Sequence, residues 1–165
     1  MFTINSALRF AFAYSCLLFV ASSHSVVAQG TASSYHARLL AGHNHVRAQQ
    51  KLPALTYDAL LAKAAQAHAN HMAATGKFAH DGIGDGTIDS RADAAGYDWM
   101  RVGENIGWTG KGTTDHAAKV MQIWMESPPH KMQILSDKFR EIGFGRAVAA
   151  DGKVYWVACF GVPAM

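Results

Sequence analysis

The order of the sequence patterns predicts an α+β fold in which helices cover a small antiparallel sheet. Helical patterns come first along the chain, and a single strand follows at about 101–108. Two further strands come last, on either side of an Asp151-Gly152 step that is typical of a hairpin turn. This order favours helices packed on both faces of a small sheet over an alternating parallel arrangement.

Each helix is predicted from the spacing of its apolar residues and from the signals at its ends. The first helix stops before Pro53, because the residue before a proline avoids helical backbone angles. Gly76 ends the second helix, and the Pro128-Pro129 pair separates the last two. The predicted helices cover 33–50, 58–76, 89–95, 114–126 and 130–135, and the predicted hairpin strands cover 139–148 and 153–162.

The first 28 residues are predicted to be a secretory signal peptide. Arg9 is their only charged residue, 10–20 is an apolar run, and small residues precede Ala28, after which we place the cleavage. The run is short for a membrane span, and no later stretch is long enough for one, although an uncleaved anchor is the alternative. We expect 29–165 to be one secreted, extracellular domain, or a periplasmic one in a cell with two membranes.

Composition limits the partners of this domain and the way it is stabilised. The formal net charge of the whole chain is only +3, and removal of Arg9 with the signal peptide lowers it further. Without a basic block, nucleic acid is not an expected partner. Cys159 is the only cysteine outside the signal peptide, so an internal disulfide cannot form and the core must stabilise the fold.

A carboxylate between glycines and apolar residues lies near the centre of the chain. Glu104 belongs to the sequence Arg-Val-Gly-Glu-Asn-Ile-Gly-Trp, and its apolar neighbours indicate a segment that is at least half buried. Burial of a carboxylate is costly unless the group is paired, hydrogen-bonded or bound to a metal. Glu104 therefore needs partners, and the histidines of the chain are the obvious candidates.

Six short motifs follow one another along the chain. They are His-Asn-His-Val-Arg-Ala at 43–48, Leu-Thr-Tyr-Asp at 55–58, Phe-Ala-His at 78–80, Gly-Glu-Asn-Ile at 103–106, Trp-Met-Glu-Ser-Pro-Pro-His at 124–130 and Glu-Ile-Gly-Phe-Gly at 141–145. With these motifs the chain resembles the CAP superfamily of cysteine-rich secretory, antigen 5 and pathogenesis-related proteins, especially its short bacterial members. The resemblance implies secretion, an α-β-α sandwich, and a cleft that in many relatives holds two histidines and two glutamates.

The resemblance assigns three residues of this chain to that cleft. His80 matches the first histidine, Glu104 matches the first glutamate, and His130 matches a histidine common in bacterial members. The second glutamate usually lies three residues after the helix tryptophan, where this chain has Ser127. Glu126 comes one residue early, and because one residue turns a helical side chain by about 100°, its place in the cleft depends on the turn of the helix.

Other motif residues are expected to brace the fold. His43 and His45 are two residues apart, so a helix points them in different directions and they cannot chelate one ion together. Asn44 and Arg47 more naturally brace the first helix against neighbouring loops. Asn105 and Trp124 are also expected to have structural roles. His68 lies in the apolar stripe of the second helix, so we expect it to be a core histidine with satisfied hydrogen bonds.

These assignments leave three functional hypotheses. Two imidazoles and one carboxylate, from His80, Glu104 and His130, suit a divalent metal such as zinc with an open position for water. The metal-free alternative is a hydrogen-bonded cluster in which Glu104 orients the two histidines. We favour a binding module for a small apolar ligand, such as the lipids or sterols that some relatives bind, or for a cell-envelope partner. The rivals are a metal-dependent hydrolase that uses the same three residues and an extracellular scaffold without a ligand.

Overall fold

The computed structural model describes residues 24–81 and 84–165, with side chains from Tyr35 onward. The elements of this part of the chain are α1 (His24–Gln49), β1 (Thr56–Tyr57), α2 (Ala59–Thr75), α3 (Ile88–Ala95), β2 (Trp99–Thr109), α4 (His116–Glu126), α5 (Pro128–Ile134), β3 (Glu141–Val148) and β4 (Val154–Pro163). Most of the predicted signal peptide, 1–23, lies outside the described residues. Its last residues belong to α1, which begins at His24 rather than at 33, and no proline interrupts the stretch between.

The four strands form one sheet in the order β1-β3-β4-β2. The predicted hairpin is present as β3 and β4, and β2 pairs antiparallel with β4, with Glu104 opposite Cys159. The predicted α+β class, with helices on both faces, is confirmed. The sheet is mixed rather than wholly antiparallel, because β1 pairs in parallel with the start of β3. A strand of two residues has no periodicity, so the sequence carried no sign of it.

Helices cover each face of the sheet and divide the core into two parts. On one face α1, α4 and α5 bury a cluster that includes Trp124, Phe144 and Trp156. On the other face α2 and α3 bury a cluster that includes Leu61 and Tyr155. Because β4 lies between both clusters, every residue from Val154 to Gly161 is buried. Such a strand reads as a continuous apolar run rather than as an alternating one.

The α2 helix lies directly on the backbone of β3. A Cβ atom added to Gly145 would collide with the backbone of Ala65, and one added to Gly143 would collide with the backbone of Ala62. Glycines on the strand and alanines on the helix therefore allow the closest approach between the two elements. This approach fixes the side of α2 that faces the sheet, and with it the position of His68.

The helix ends follow the signals that the sequence offered. The Asp58 carboxylate accepts hydrogen bonds from the N–H groups of Leu60 and Leu61 at the start of α2. Gly76 ends the helix in the left-handed region, with φ of 69°. None of the described helices combines the length and the apolar character needed to cross a bilayer.

Candidate functional site

Glu104 lies on β2 with its side chain directed toward α2 and α3. Residues two apart on a strand share a face, and Ile106 on that same face packs into the cluster beneath these helices. The carboxylate of Glu104 is 3% exposed. The carboxylate at this position is therefore buried, as expected, and it requires partners that stabilise its charge.

Two donors occupy the two oxygens of the Glu104 carboxylate. His80 Nδ1 donates to Oε1 at 2.9 Å, and Arg91 Nη2 donates to Oε2 at 2.7 Å. Arg91 is as deeply buried as Glu104, whereas the His80 side chain is 54% exposed. The buried charge of Glu104 is thus matched by a buried guanidinium, and His80 is the member of the group that faces solvent.

A second layer lies behind this pair and involves His68 on α2. Its Nδ1 donates to Asp85 Oδ2 at 2.6 Å, and its Nε2 donates to the Ala79 carbonyl at 3.0 Å. Each ring nitrogen of His68 therefore faces one oxygen acceptor. His68 Nε2 is also 3.8 Å from Glu104 Oε1.

Arg91 ties this second layer to the loop that carries His80. Its Nη2 donates to the His80 carbonyl at 3.1 Å and its Nη1 donates to the Gly86 carbonyl at 2.6 Å. Its Nη1 also lies 3.7 Å from Asp85 Oδ1. The histidine that donates to Glu104 is therefore positioned from α3 as well as from its own loop.

Sequence reasoning missed Arg91 and gave Asp85 no role. A signal for Arg91 existed, since it precedes Ala92 and stands four residues before Ala95, the two apolar residues that α3 buries. An arginine on the buried stripe of a short helix requires a buried acidic partner or several carbonyls. The signal for Asp85 was weaker, because its contact with His68 spans an irregular loop.

His130, in the first turn of α5, lies near His80 and is half buried. Burial, followed by the charge of His80, lowers the pKa of His130. The His130 carbonyl accepts a hydrogen bond from Asn105 Nδ2 at 3.0 Å, which ties α5 to β2. Its Nδ1 atom is buried and has no hydrogen-bond partner.

A pocket of about 390 Å³ begins at His130 and follows the outer edge of β2. In the described part of the chain β2 is the last strand of the sheet, so no strand lies beside this edge. The Phe78 segment borders the pocket on one side and α4 on the other. The lining residues are Phe78, Ile106, Gly107, Trp108, Thr109, Gly110, Thr113, Lys119, Ile123 and His130.

Glu126 stays apart from this group. It is the exposed last residue of α4, and its Oε1 accepts a hydrogen bond from Gln122 Nε2 at 2.7 Å. It does not line the pocket that contains His130. Because Glu126 comes one residue earlier than the glutamate of the relatives, its carboxylate lies outside the pocket on the surface of α4.

The predicted metal ligands do not form a metal-binding group as the side chains stand. No set of three or more histidine, cysteine, aspartate or glutamate side chains in 24–81 and 84–165 is arranged to hold a metal ion. Arg91 donates to Glu104 Oε2 and His80 to Oε1, so both carboxylate oxygens already accept hydrogen bonds. The donor set does not fit a three-ligand zinc site.

The predicted bracing residues on α1 hold the segments around it. Asn44 clamps Leu55, donating to its carbonyl at 2.9 Å and accepting from its N–H at 2.7 Å. The buried Arg47 donates to three backbone carbonyls, those of Pro53, Ile134 and Ser136. These contacts connect α1 to the segment before β1 and to the end of α5.

Trp124 supports β2 from α4 in the same way that Asn105 connects it to α5. The Trp124 Nε1 group donates to the Ile106 carbonyl at 2.9 Å, within the outer edge of the strand. His43 is fully buried and packs against the ring of Trp124. The pocket wall formed by β2 is therefore held by buried contacts on the side away from Glu104.

Comparison with known proteins gives a consistent set of similarities. A family model described as the cysteine-rich secretory protein family, CAP, matches residues 40–160. The chain is 30% identical over 118 residues to the uncharacterized protein YkwD of Bacillus subtilis, covering 72% of this chain and 44% of that protein. It is 28% identical over 145 residues to pathogenesis-related leaf protein 6 of Solanum lycopersicum, covering 87% of this chain and 84% of that protein.

The fold is also similar to solved structures. An extracellular protein containing an SCP domain, from Bacillus anthracis, superposes with a TM-score of 0.68 at 23% identity. The superposition covers 78% of this chain and 40% of that one. This chain therefore spans less than half the length of both Bacillus proteins.

Proposed function

The chain belongs to the cysteine-rich secretory protein family, CAP, and from this membership we propose that it is a secreted module that binds a small apolar ligand. The site that we assign to the ligand is the pocket along the outer edge of β2. The observation that carries the proposal is the pocket of about 390 Å³ that starts at His130 and is walled by Ile106, Trp108 and Ile123. Its size falls within the range of small-molecule sites, about 300–1,000 Å³.

The polar groups of the pocket suit an amphipathic ligand. Its walls are mostly apolar, and His130 is a polar group at one end. Because the pKa of His130 is lowered, its imidazole is neutral at pH 7 and offers a hydrogen bond without a charge. A hydroxyl or carbonyl at one end of an otherwise apolar molecule, such as a fatty alcohol or a sterol, matches this arrangement.

Binding fits this site better than hydrolysis. A general base needs a free lone pair directed at the substrate. Glu104 directs both oxygens at His80 and Arg91, and its side chain is buried. Glu126, the other candidate carboxylate, is bound to Gln122 on the surface of α4. Neither carboxylate is therefore free to act as a base, and the described residues hold no ligand set for a metal-bound water, so we favour recognition over chemistry.

The proposal is tested by ligand binding to the purified protein. A panel of fatty acids, fatty alcohols and sterols is added, and the rise in melting temperature and the dissociation constant are measured. The Ile123→Phe variant fills the pocket, and Met132→Phe on the exposed face of α5 is the matched control. We expect Ile123→Phe to weaken binding at least tenfold and Met132→Phe to leave it unchanged. No binding by any member of the panel, or equal binding by both variants, would reject the pocket as the site.

A further inference from the structure

Two aromatic side chains are exposed at the mouth of the pocket. Phe78 is 46% exposed and Trp108 is 45% exposed, and both line the opening. Phe78 also packs on the ring of Tyr155, with the ring centres 6.3 Å apart. Aromatic side chains held in place by packing yet left in water mark interaction sites more often than scattered apolar residues do.

Four lysines belong to the segments around this aromatic pair: Lys77, Lys111, Lys119 and Lys153. Lys153 Nζ lies 5.1 Å from the centre of the Trp108 ring, and Lys119 lines the pocket. Lys77 precedes Phe78 along the chain. The Lys111 side chain lies beside Gly152, next to Lys153. The aromatic rings and the positive charges thus occupy one surface, which we call the lysine rim.

Few acidic side chains oppose the charge of the lysine rim. Asp151 lies 3.7 Å from Lys153 and is itself exposed. Asp81 follows the Phe78 segment. Asp115, at the start of α4, is bound to Arg38 on α1. The four lysines therefore outnumber the free acidic groups around them.

We propose that the lysine rim docks this protein on an anionic lipid surface, with Phe78 and Trp108 at the level of the head groups and upper acyl chains. Aromatic rings favour this interfacial layer, and lysines extend their charged ends toward the lipid phosphates while their stems cover apolar surface. Each lysine near an anionic leaflet strengthens binding by roughly fivefold. This docking depends on the residues of the lysine rim and not on the proposed apolar ligand. Docking in this way would place the mouth of the pocket at the bilayer.

The experiment uses vesicles of phosphatidylcholine with and without phosphatidylglycerol. Co-sedimentation gives the partition coefficient, and brominated lipids report insertion by quenching tryptophan emission. We expect binding to the anionic vesicles only, with quenching, and a steep loss of binding as salt is raised because the charges are exposed. Equal binding to neutral vesicles, or an absence of binding to anionic ones, would overturn the proposal.

Matched variants separate the rim from the rest of the surface. Lys119→Gln and Lys153→Gln are expected to weaken binding by roughly fivefold each. The control is Lys138→Gln. Lys138 precedes β3 and therefore lies at the end of the sheet opposite to Lys153. Trp108→Ala removes one aromatic anchor, and its control is Tyr57→Ala, a ring of similar exposure on the other outer strand. Equal effects of rim and control variants would overturn the proposal.

Two further outcomes are decisive. If Trp108→Ala lowers the melting temperature, bromolipid quenching of the unaltered protein carries the test of insertion instead. Equal binding to a soluble polyanion, without quenching by bromolipids, would replace the lipid surface by an anionic polymer and overturn the proposal. The pocket variant Ile123→Phe should keep vesicle binding even where it loses the apolar ligand, so failure of one proposal is distinguishable from failure of the other.

Discussion

Arg91 Nη2 donates to Glu104 Oε2 at 2.7 Å, and each of the two side chains is only 3% exposed. The pair joins α3 to the edge strand β2, and it lies directly behind the exposed imidazole of His80. Buried ion pairs are costly to assemble and even more costly to break on one side, because the remaining charge is left without compensation. The position of His80 therefore depends on an ion pair that the solvent does not reach.

The first prediction concerns the removal of one member of this pair. Arg91→Met should lower the free energy of unfolding by about 3–5 kcal/mol, and Glu104→Ala by about 3 kcal/mol or more. Urea unfolding measures both, and Arg101→Met on the exposed start of β2 is the control. The double variant Arg91→Met/Glu104→Ala should be less unstable than the sum of the single changes. A loss below about 1 kcal/mol for Arg91→Met would mean that water reaches the carboxylate.

The burial of Glu104 could be inferred from its apolar neighbours, but its strongest partner could not. Motif comparison placed His80 beside Glu104, because both belong to short sequences that recur in relatives. Arg91 belongs to none of the motifs, and its contact with Glu104 depends on how α3 packs against β2. Local periodicity predicts the buried face of a helix, whereas the atom that a long side chain reaches depends on tertiary packing.

Tertiary packing also limits how much of the fold the sequence predicts. The helices and the Asp151-Gly152 hairpin carry local signals, and the structure reproduces them with shifts of a few residues at most ends. The parallel pairing of β1 with β3 carries none, because Thr56 and Glu141 are far apart in the sequence and meet only through the tertiary fold. Long-range pairings of short strands are set by the core rather than by the residues that pair.

A second prediction tests the close approach of α2 and β3. Gly145→Ala introduces a Cβ that collides with the backbone of Ala65, so the helix must move away from the sheet. We expect a loss of about 1–3 kcal/mol or more of unfolding free energy, measured by chemical denaturation. Gly112→Ala is the control, since nothing lies within 4 Å of its added Cβ. A normal stability of Gly145→Ala would show that the two elements separate easily.

The third prediction concerns the thiol of Cys159. It is fully buried, and burial, followed by the charge of Glu104, raises the pKa of this thiol well above its usual value. Thiolate is the reactive form, so native protein should not react with a thiol reagent until the chain unfolds. The rate of labelling with an aromatic disulfide, followed across urea concentrations, should track the unfolded fraction. Rapid labelling in native buffer would place the sulfur near the surface instead.

The fourth prediction concerns the amino terminus. Arg9, the apolar run that follows it and the small residues before Ala28 are typical of a cleaved secretory signal. We expect protein recovered from the medium or the periplasm to begin at Gln29, give or take a few residues, as read by intact mass. Ala28→Arg should block the cleavage and retain the precursor. Recovery of unaltered protein in membranes with Met1 in place would favour an uncleaved anchor.

The last prediction is the pH dependence of stability that His43 produces. This side chain is fully buried on α1 and lies against the rings of Trp124, Phe144 and Phe160, with ring centres 5.3–5.9 Å away. Burial lowers its pKa from 6.5 to about 4, only partly opposed by the hydrogen bond from Nδ1 to the Leu39 carbonyl.

The lowered pKa of His43 means that the unfolded chain binds this proton more tightly than the folded one. The free energy of unfolding should therefore fall as the pH is lowered from 6.5 toward 4, and this residue should account for about 3 kcal/mol of the fall. Well above pH 6.5 the imidazole is neutral in both states, so the contribution to the slope vanishes. Urea unfolding at several pH values, compared between the unaltered protein and His43→Leu, measures the contribution of His43 to the unfolding free energy. Parallel curves for the two proteins across this range would mean that the imidazole accepts its proton in the folded core without penalty.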